Sequence, residues 1–177
     1  VFQSVMDPIE DLVASTDRDP VACWNHPLWW IERLQHDHPE HWTEMLRVAN
    51  EPAPMCLRVN TRRTTREALQ ARWRTQGIAS EPVGAQGLVL HTALPVQRIP
   101  GFSEGLCSVQ DAAAQCAAPL LLNGLARPSG RGLRVLDACA APGGKTAHLL
   151  ELADLDVTAL DSDPQRLGRV NDTLQRL

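Results

Sequence analysis

The pattern of apolar and polar residues in the last third of the chain predicts a strand, a loop, a helix and a second strand. An apolar run from Leu133 ends in Asp137, a loop of small residues follows, and a helical pattern opens at Lys145. A second apolar run, starting at Val157, ends in Asp161. This order is typical of a βαβ unit that binds a nucleotide, with an acidic residue after the second strand placed to hold a ribose.

Upstream of this unit, the pattern predicts further helices and short strands. Asn25-His26-Pro27 can begin one helix and Pro39 another, and Gly77 is a natural end for a third. The predicted helices are Trp29–His36, Pro39–Asn50, Thr64–Gln76 and Ser108–Leu122, and the predicted strands are Cys56–Val59, Leu88–Leu90 and Val96–Ile99.

These elements divide the chain of 177 residues into three parts. Residues 1–23 are acidic, and we interpret them as a linker or as the tail of a preceding helical domain. Residues 24–105 are predicted to form a small α/β domain. Residues 106–177 begin a second α/β domain, but two strands are too few for a doubly wound sheet. We therefore expect an α/β chain that carries the first half of a Rossmann-like domain. Because it begins with Val1 and not Met, we expect it to be an internal piece of a longer protein.

The loop between the two strands has the residues that a bound ligand needs. Gly143 and Gly144 lack a Cβ, so the backbone can turn sharply and approach a ligand closely. Pro142 stiffens the loop and removes one donor. The N–H groups at the start of the next helix are unpaired, and the carboxylate of Asp161 can accept both hydroxyls of a ribose.

Three interpretations of this loop compete. An ordinary buried strand and turn would explain the glycines alone. A phosphate-binding loop would explain Gly144-Lys145-Thr146, but Cys139 occupies the place of its first glycine and Pro142 lacks an N–H. A site for S-adenosylmethionine needs no phosphate cradle, only close backbone approach and a ribose acid, and both are present.

Several segments together resemble the NOL1/NOP2/Sun family of RNA (cytosine-5) methyltransferases. The cofactor-binding motifs of that family are similar to DACAAPGGKTAHLLEL at Asp137–Leu152 and ALDSDPQRL at Ala159–Leu167. Upstream, the similarity extends to NHPLWWIERL, PMCLRVN and PGFSEGLCSVQDAAAQ, so that it runs from about Asn25 to Leu177.

The resemblance implies a function. It implies methylation of cytosine C5 in small-subunit ribosomal RNA by an S-adenosylmethionine-dependent enzyme, a small α/β domain that faces RNA, and a Rossmann-like catalytic domain. The cofactor-binding residues that it implies are Cys139, Ala140, Ala141, Pro142, Gly143, Gly144, Lys145 and Asp161. From another enzyme class, a P-loop nucleotide hydrolase remains an alternative, and so does a non-catalytic RNA-binding module.

The cysteines argue against a complete active site in this chain. Enzymes of the family use a cysteine thiolate that adds to C6 of the ring, and they carry it downstream of the ribose acid. No cysteine follows Cys139 here, and none of the five cysteines has a His or Lys placed by sequence to activate it. We therefore expect the nucleophile to lie beyond Leu177 and the 177-residue chain itself to be inactive.

Composition sets the expected partners and location. The odd number of cysteines and the absence of a C-x-x-C spacing argue against disulfides and zinc and for a reducing cytoplasm. No apolar run approaches membrane-spanning length. We expect a cytoplasmic monomer with ribosomal RNA as its partner, no membrane and no metal.

A net charge of −4 argues mildly against nucleic acid binding, but arginines cluster in the segment RVNTRRTTREALQARWR. Guanidinium groups suit phosphates, and Trp73 could stack on a base. A solvated helix face with a packed Trp73 explains the same residues equally well. The candidate RNA-binding residues are Arg58, Arg62, Arg63 and Arg66.

Overall fold

The computed structural model describes residues 13, 14, 16, 18–125 and 132–177. The chain forms two compact units, residues 1–53 and residues 54–177. Within the described part of the chain, each helix is too short or too polar to traverse a lipid bilayer.

The first unit is helical, as the sequence predicts. Its helices are α1 (Pro20–Trp24), α2 (Leu28–Asp37) and α3 (Trp42–Ala49). Ile31, Leu34 and Leu46 form its small buried core, and Trp24 and Trp42 pack against this core. The two tryptophan rings contact each other edge to face, with their centroids 5.0 Å apart. These two tryptophans therefore belong to the core.

The second unit begins with a four-stranded antiparallel sheet. Its elements are β1 (Cys56–Val59), α4 (Arg66–Arg74), β2 (Ser80–Val83), β3 (Gly87–Leu90) and β4 (Cys107–Val109). The strand order is β2-β3-β1-β4, so β1 lies between β3 and β4. Helix α4 covers one face through Leu69 and Trp73, which are buried with Leu57 and Val59 of β1.

Two details of this region differ from the sequence-based prediction. Val96–Arg98 is a short 3-10 helix and not a strand. Strand β2 was not predicted, because Ser80-Glu81-Pro82-Val83 is polar and contains a proline, which a sheet tolerates at its edge.

The predicted long helix Ser108–Leu122 is also wrong. Cys107 and Ser108 are buried in β4, a 3-10 turn follows at Ala114–Cys116, and the regular helix α5 covers only Ala117–Leu122. Pro119 has no N–H and fits only in the first turn of a helix, which accounts for the late start. Because β4 pairs with β1, the first sheet includes residues beyond the predicted boundary at residue 105.

The last part of the unit is the predicted βαβ arrangement. Strand β5 (Leu133–Asp137) pairs in parallel with β6 (Leu155–Ala159), and α6 (Gly144–Leu152) connects them. Helix α7 (Pro164–Arg176) follows, with its N-terminus capped by the side chain of Asp163. The mixed α/β prediction, with a Rossmann-like unit after a smaller α/β region, is confirmed.

Candidate functional site

The loop at residues 138–143 joins β5 to α6 and depends on Gly143 for its shape. Gly143 has a φ of 100°, a conformation that residues with a Cβ rarely adopt. A Cβ placed there would lie 3.1 Å from the Cα of Val170 and 3.2 Å from the Cβ of Thr173. Gly143 therefore allows both the turn and the close packing of the loop on α7.

Gly144 has a different role, because its backbone is helical and its surroundings are open. A Cβ on Gly144 would meet a single atom within 4 Å, the Nε2 atom of Gln110 at 3.8 Å. The space in front of Gly144 is therefore available for a ligand to approach the backbone at the start of α6.

Helix α7 supports the back of the loop. Ala140 and Ala141 are buried against Val170. The hydroxyl of Thr173 donates to the carbonyl of Pro142 at 2.7 Å, and Arg166 donates to the carbonyl of Ala141 at 3.4 Å. These contacts fix the loop on one side and leave its opposite side free.

Asp161 lies directly beside the loop. Its Oδ2 accepts the N–H of Ala141 at 2.9 Å, and its Oδ1 accepts the N–H of Asp163 at 3.1 Å. The N–H groups of Asp163 and Ala141 hold the pKa of the Asp161 carboxyl below its usual range. Each carboxylate oxygen keeps a second lone pair, so Asp161 can accept two further hydrogen bonds from a ligand while staying in place.

Asp137, which the sequence marked only as a strand end, ties the two ends of the loop together. Its Oδ2 accepts the hydroxyl of Thr146 at 2.7 Å, and its Oδ1 accepts the N–H of Cys139 at 3.3 Å. Thr146 is fully buried in α6. The alternation of β5 could have suggested that Asp137 is half-buried, but not that it is bonded to Thr146.

An open cavity of about 170 Å³ lies next to the loop. Helix α5 contributes Ala118 and Leu121, β5 contributes Leu136 and Asp137, and α6 contributes Lys145 among its lining residues. Lys145 is exposed there. The lining of the cavity is therefore mostly apolar, with Lys145 and Asp137 as its charged residues.

The cysteines of the described residues are free thiols. Cys139 is exposed in the loop, whereas burial raises the pKa of the Cys56 thiol and raises that of Cys107 to about 12. Cys56 and Cys107 are therefore protonated and unreactive at neutral pH. The described residues contain no group of three or more His, Cys, Asp or Glu side chains suited to a metal ion.

The candidate RNA-binding arginines do not form one surface. Arg58 is fully buried, whereas Arg62 and Arg63 are exposed and Arg66 is partly exposed. The burial of Arg58 is incompatible with direct phosphate contact in this conformation.

The other three arginines each donate to main-chain carbonyls. Arg62 bonds the carbonyls of Glu151 and Ala153, Arg63 bonds that of Glu104, and Arg66 bonds that of Gly84. RNA binding by these three stays a prediction. Trp73 is fully buried and donates its indole N–H to the carbonyl of Pro100 at 2.8 Å, so the packed interpretation of Trp73 is confirmed.

Sequence reasoning missed a buried polar network around Arg58. The guanidinium of Arg58 donates to both carboxylate oxygens of Glu151, at 2.6 and 2.9 Å. Its Nη1 donates to Oε1 of Gln110 at 2.5 Å and to the carbonyl of Gly144 at 2.9 Å. A strand of the first sheet is thus bonded to the helix that follows the loop.

Two family models match the chain. A model for the ferredoxin-like domain of RsmF/B-like methyltransferases matches residues 26–97, and a model for the 16S rRNA methyltransferase RsmB/F matches residues 127–177. The chain belongs to the RsmB/F methyltransferase family. The family resemblance noted in the sequence is thereby confirmed, and strands β1, β2 and β3 of the antiparallel sheet lie within the residues that match the ferredoxin-like domain.

Curated members of the family are similar over nearly all of the chain. The ribosomal RNA small subunit methyltransferase B of Vibrio cholerae is 43% identical over 171 residues, and that of Pseudomonas putida is 44% identical over 172 residues. Each alignment covers 95% of this chain and 38% of the relative. The chain therefore spans well under half the length of these relatives.

Solved structures share the fold. A methyltransferase homolog protein from Pyrococcus horikoshii superposes with a TM-score of 0.73 at 27% identity, over 90% of this chain and 52% of that one. NSun6 from the same organism superposes with a TM-score of 0.70 at 16% identity, over 85% of this chain and 62% of that one.

Proposed function

We propose that this chain forms the cofactor-binding part of an S-adenosylmethionine-dependent enzyme that methylates cytosine C5 in small-subunit ribosomal RNA. The carboxylate of Asp161, held by the N–H of Ala141 in a loop that leads to the open Gly144 at the start of α6, is the observation that carries the cofactor assignment. The similar proteins of Vibrio cholerae and Pseudomonas putida are ribosomal RNA methyltransferases by name, which supports the ribosomal RNA substrate.

The hydrogen bonds of the loop favour this cofactor over a nucleoside triphosphate. A phosphate-binding loop presents free backbone N–H groups to its ligand. Here the N–H of Ala140 donates to the carbonyl of Leu160 and that of Gly143 to the carbonyl of Ala140. Pro142 has no N–H.

The carboxylates around the loop argue in the same direction. The N–H groups of Cys139 and Ala141 are taken by the side chains of Asp137 and Asp161. Two carboxylates at the loop would repel a polyphosphate, whereas they can accept hydrogen bonds from the ribose and ammonium groups of S-adenosylmethionine.

When bound, S-adenosylmethionine would supply the methyl group. Residues Cys139–Lys145 would contact it through their backbone, and Asp161 would orient its ribose through the two remaining lone pairs of the carboxylate. The hydrogen bond that Thr173 donates to Pro142 and the one that Asp137 accepts from Thr146 keep the loop in this shape before the cofactor arrives. Cys56 and Cys107 are buried and Cys139 lies in the cofactor loop, so we propose none of these three as the nucleophile.

Calorimetry with S-adenosylhomocysteine tests the assignment of Asp161. Asp161→Asn turns an amide NH₂ toward one of two backbone N–H donors and removes the charge. Losing charge-assisted hydrogen bonds of this kind should weaken affinity by about ten- to a hundredfold. Asp163→Asn is the matched control, because asparagine also caps a helix and the change in charge is the same. Equal affinities in the two variants would remove Asp161 from the cofactor site.

Further arms of the experiment separate the alternative functions. The unchanged protein should bind S-adenosylhomocysteine and should not bind ATP with Mg²⁺; the reverse pattern would favour a nucleotide hydrolase. RNA binding without any cofactor binding would favour a non-catalytic RNA-binding module. Transfer of a radiolabelled methyl group to unmodified small-subunit ribosomal RNA, mapped by mass spectrometry, tests the reaction and the C5 position.

A further inference from the structure

Arg58 is a buried cation whose donors converge on both ends of α6. It is 0% exposed, and four of its five N–H groups donate to other residues. One contact is the carbonyl of Gly144, the first residue of α6, and the other α6 contact is the carboxylate of Glu151 two turns later. A single side chain of the first sheet therefore holds the start of the helix that follows the cofactor loop.

The same guanidinium determines which way the amide of Gln110 faces. Arginine has donors and no acceptor, so the amide oxygen of Gln110 must be the atom that faces it. The NH₂ group of Gln110 is consequently turned to the other side, where its nitrogen lies 3.8 Å from the position of a Cβ on Gly144. Among the described residues no acceptor takes this NH₂ group, which leaves it as a donor at the open side of the loop.

Stability alone gives little reason for a charge in this position. Removing an arginine and a carboxylate from water has a large desolvation cost, and well-packed apolar residues often serve a fold equally well. A fork of planar donors does something that apolar residues cannot do, because it sets the direction of three acceptors at once. Here two of those three acceptors, Gly144 and Gln110, border the space in front of the loop.

We propose that Arg58 is a positioning residue for the cofactor loop: it fixes the backbone at Gly144 and directs the NH₂ group of Gln110 toward the bound cofactor. This inference rests on the proposed function, because it takes S-adenosylmethionine as the ligand of the loop. It assigns to a strand of the ferredoxin-like sheet a part in cofactor affinity.

The test compares affinities for S-adenosylhomocysteine with melting temperatures. Arg58→Lys keeps the charge but cannot make the fork of bonds, and affinity should fall about tenfold or more. Gln110→Met keeps the ion pair and the volume, and affinity should fall by roughly fivefold with little change in melting temperature. The double variant should be no weaker than Arg58→Lys alone within about twofold, because residues that act through one another are not additive.

Gln86→Met is the control for simple loss of contact between the first sheet and α6. The Gln86 side chain bonds His148 of α6 at 2.7 Å but does not reach the loop. Its loss should lower the melting temperature and leave affinity unchanged within about twofold.

Two results would overturn the inference while leaving the proposed function intact. One is normal affinity in Gln110→Met; the other is full additivity of Arg58→Lys and Gln110→Met. If the unchanged protein itself fails to bind S-adenosylhomocysteine, the proposed function is wrong and the inference is overturned with it.

Discussion

Replacing Gly143 with alanine should destabilise the protein, and the same change at Gly144 should not. Alanine at a φ of 100° costs about 1–2 kcal/mol, because its Cβ approaches the following carbonyl. The Cβ would also press on Val170 and Thr173 at 3.1 and 3.2 Å, and overpacking of this kind costs typically about 1–3 kcal/mol. The two effects together lower the free energy of unfolding by roughly 2–5 kcal/mol.

Thermal unfolding followed by circular dichroism measures the difference. For a chain of this size, Gly143→Ala should lower the melting temperature by about 4–20 °C. Gly144→Ala should leave it unchanged or raise it slightly, because the backbone there is helical and alanine restricts the unfolded chain. Equal melting temperatures for the two variants would refute the assignment of the turn and of the close contact to Gly143.

Three further predictions follow from the site and its surroundings. Gly144→Val should abolish binding of S-adenosylhomocysteine in calorimetry with little change in melting temperature, and a variant that binds normally would place the ligand elsewhere. Burial lowers the pKa of His148 to about 4, so the unfolded state takes up a proton below pH 6.5 that the folded state does not. The free energy of unfolding should therefore fall between pH 6.5 and 4 by up to about 1.4 kcal/mol per unit. His148→Gln should flatten this slope in urea titrations, and a parallel slope would contradict it. If Arg62, Arg63 and Arg66 bind phosphates, the logarithm of RNA affinity should fall with the logarithm of salt concentration by about −0.7 per phosphate contact on single strands. Joint replacement of the three arginines by Gln should therefore make this slope shallower by about two units. An unchanged slope would assign the three side chains to a solvated face.

The parts of the fold that sequence predicts well are those with a strong local period. The apolar runs of β5 and β6 and the glycine loop between them identify the βαβ unit without any tertiary information. Strand β2 has no such local period, because it is polar and pairs with a neighbouring strand along only one edge. Ser108 and Val109 are not helical as predicted, because pairing of β4 with β1 overrides the helix preference of the alanines that follow.

In the candidate site, too, local sequence signals predict some features, whereas others depend on contacts between distant parts of the chain. The loop glycines and Asp161 are local signals, but the direction of the Asp161 carboxylate depends on the N–H of Ala141, 20 residues away in the chain. The sequence grouped Arg58 with Arg62 and Arg63 as candidate RNA-binding residues because all three lie in one short arginine-rich segment. Only the packing of the first sheet on α6 shows that Arg58 is buried and paired.

The pair between Arg58 and Glu151 joins residues 93 positions apart, and this separation matters during translation. All four strands of the first sheet have been made when Val109 is added, but Glu151 is not yet part of the chain. At typical rates of synthesis, the ribosome needs roughly 5–20 s to extend the chain from one partner to the other. A guanidinium without its carboxylate must stay hydrated. We therefore expect water to solvate the Arg58 face of the nascent first sheet until α6 leaves the ribosome. Packing of α6 on that face then replaces the water around Arg58 with the bonds to Glu151 and Gly144.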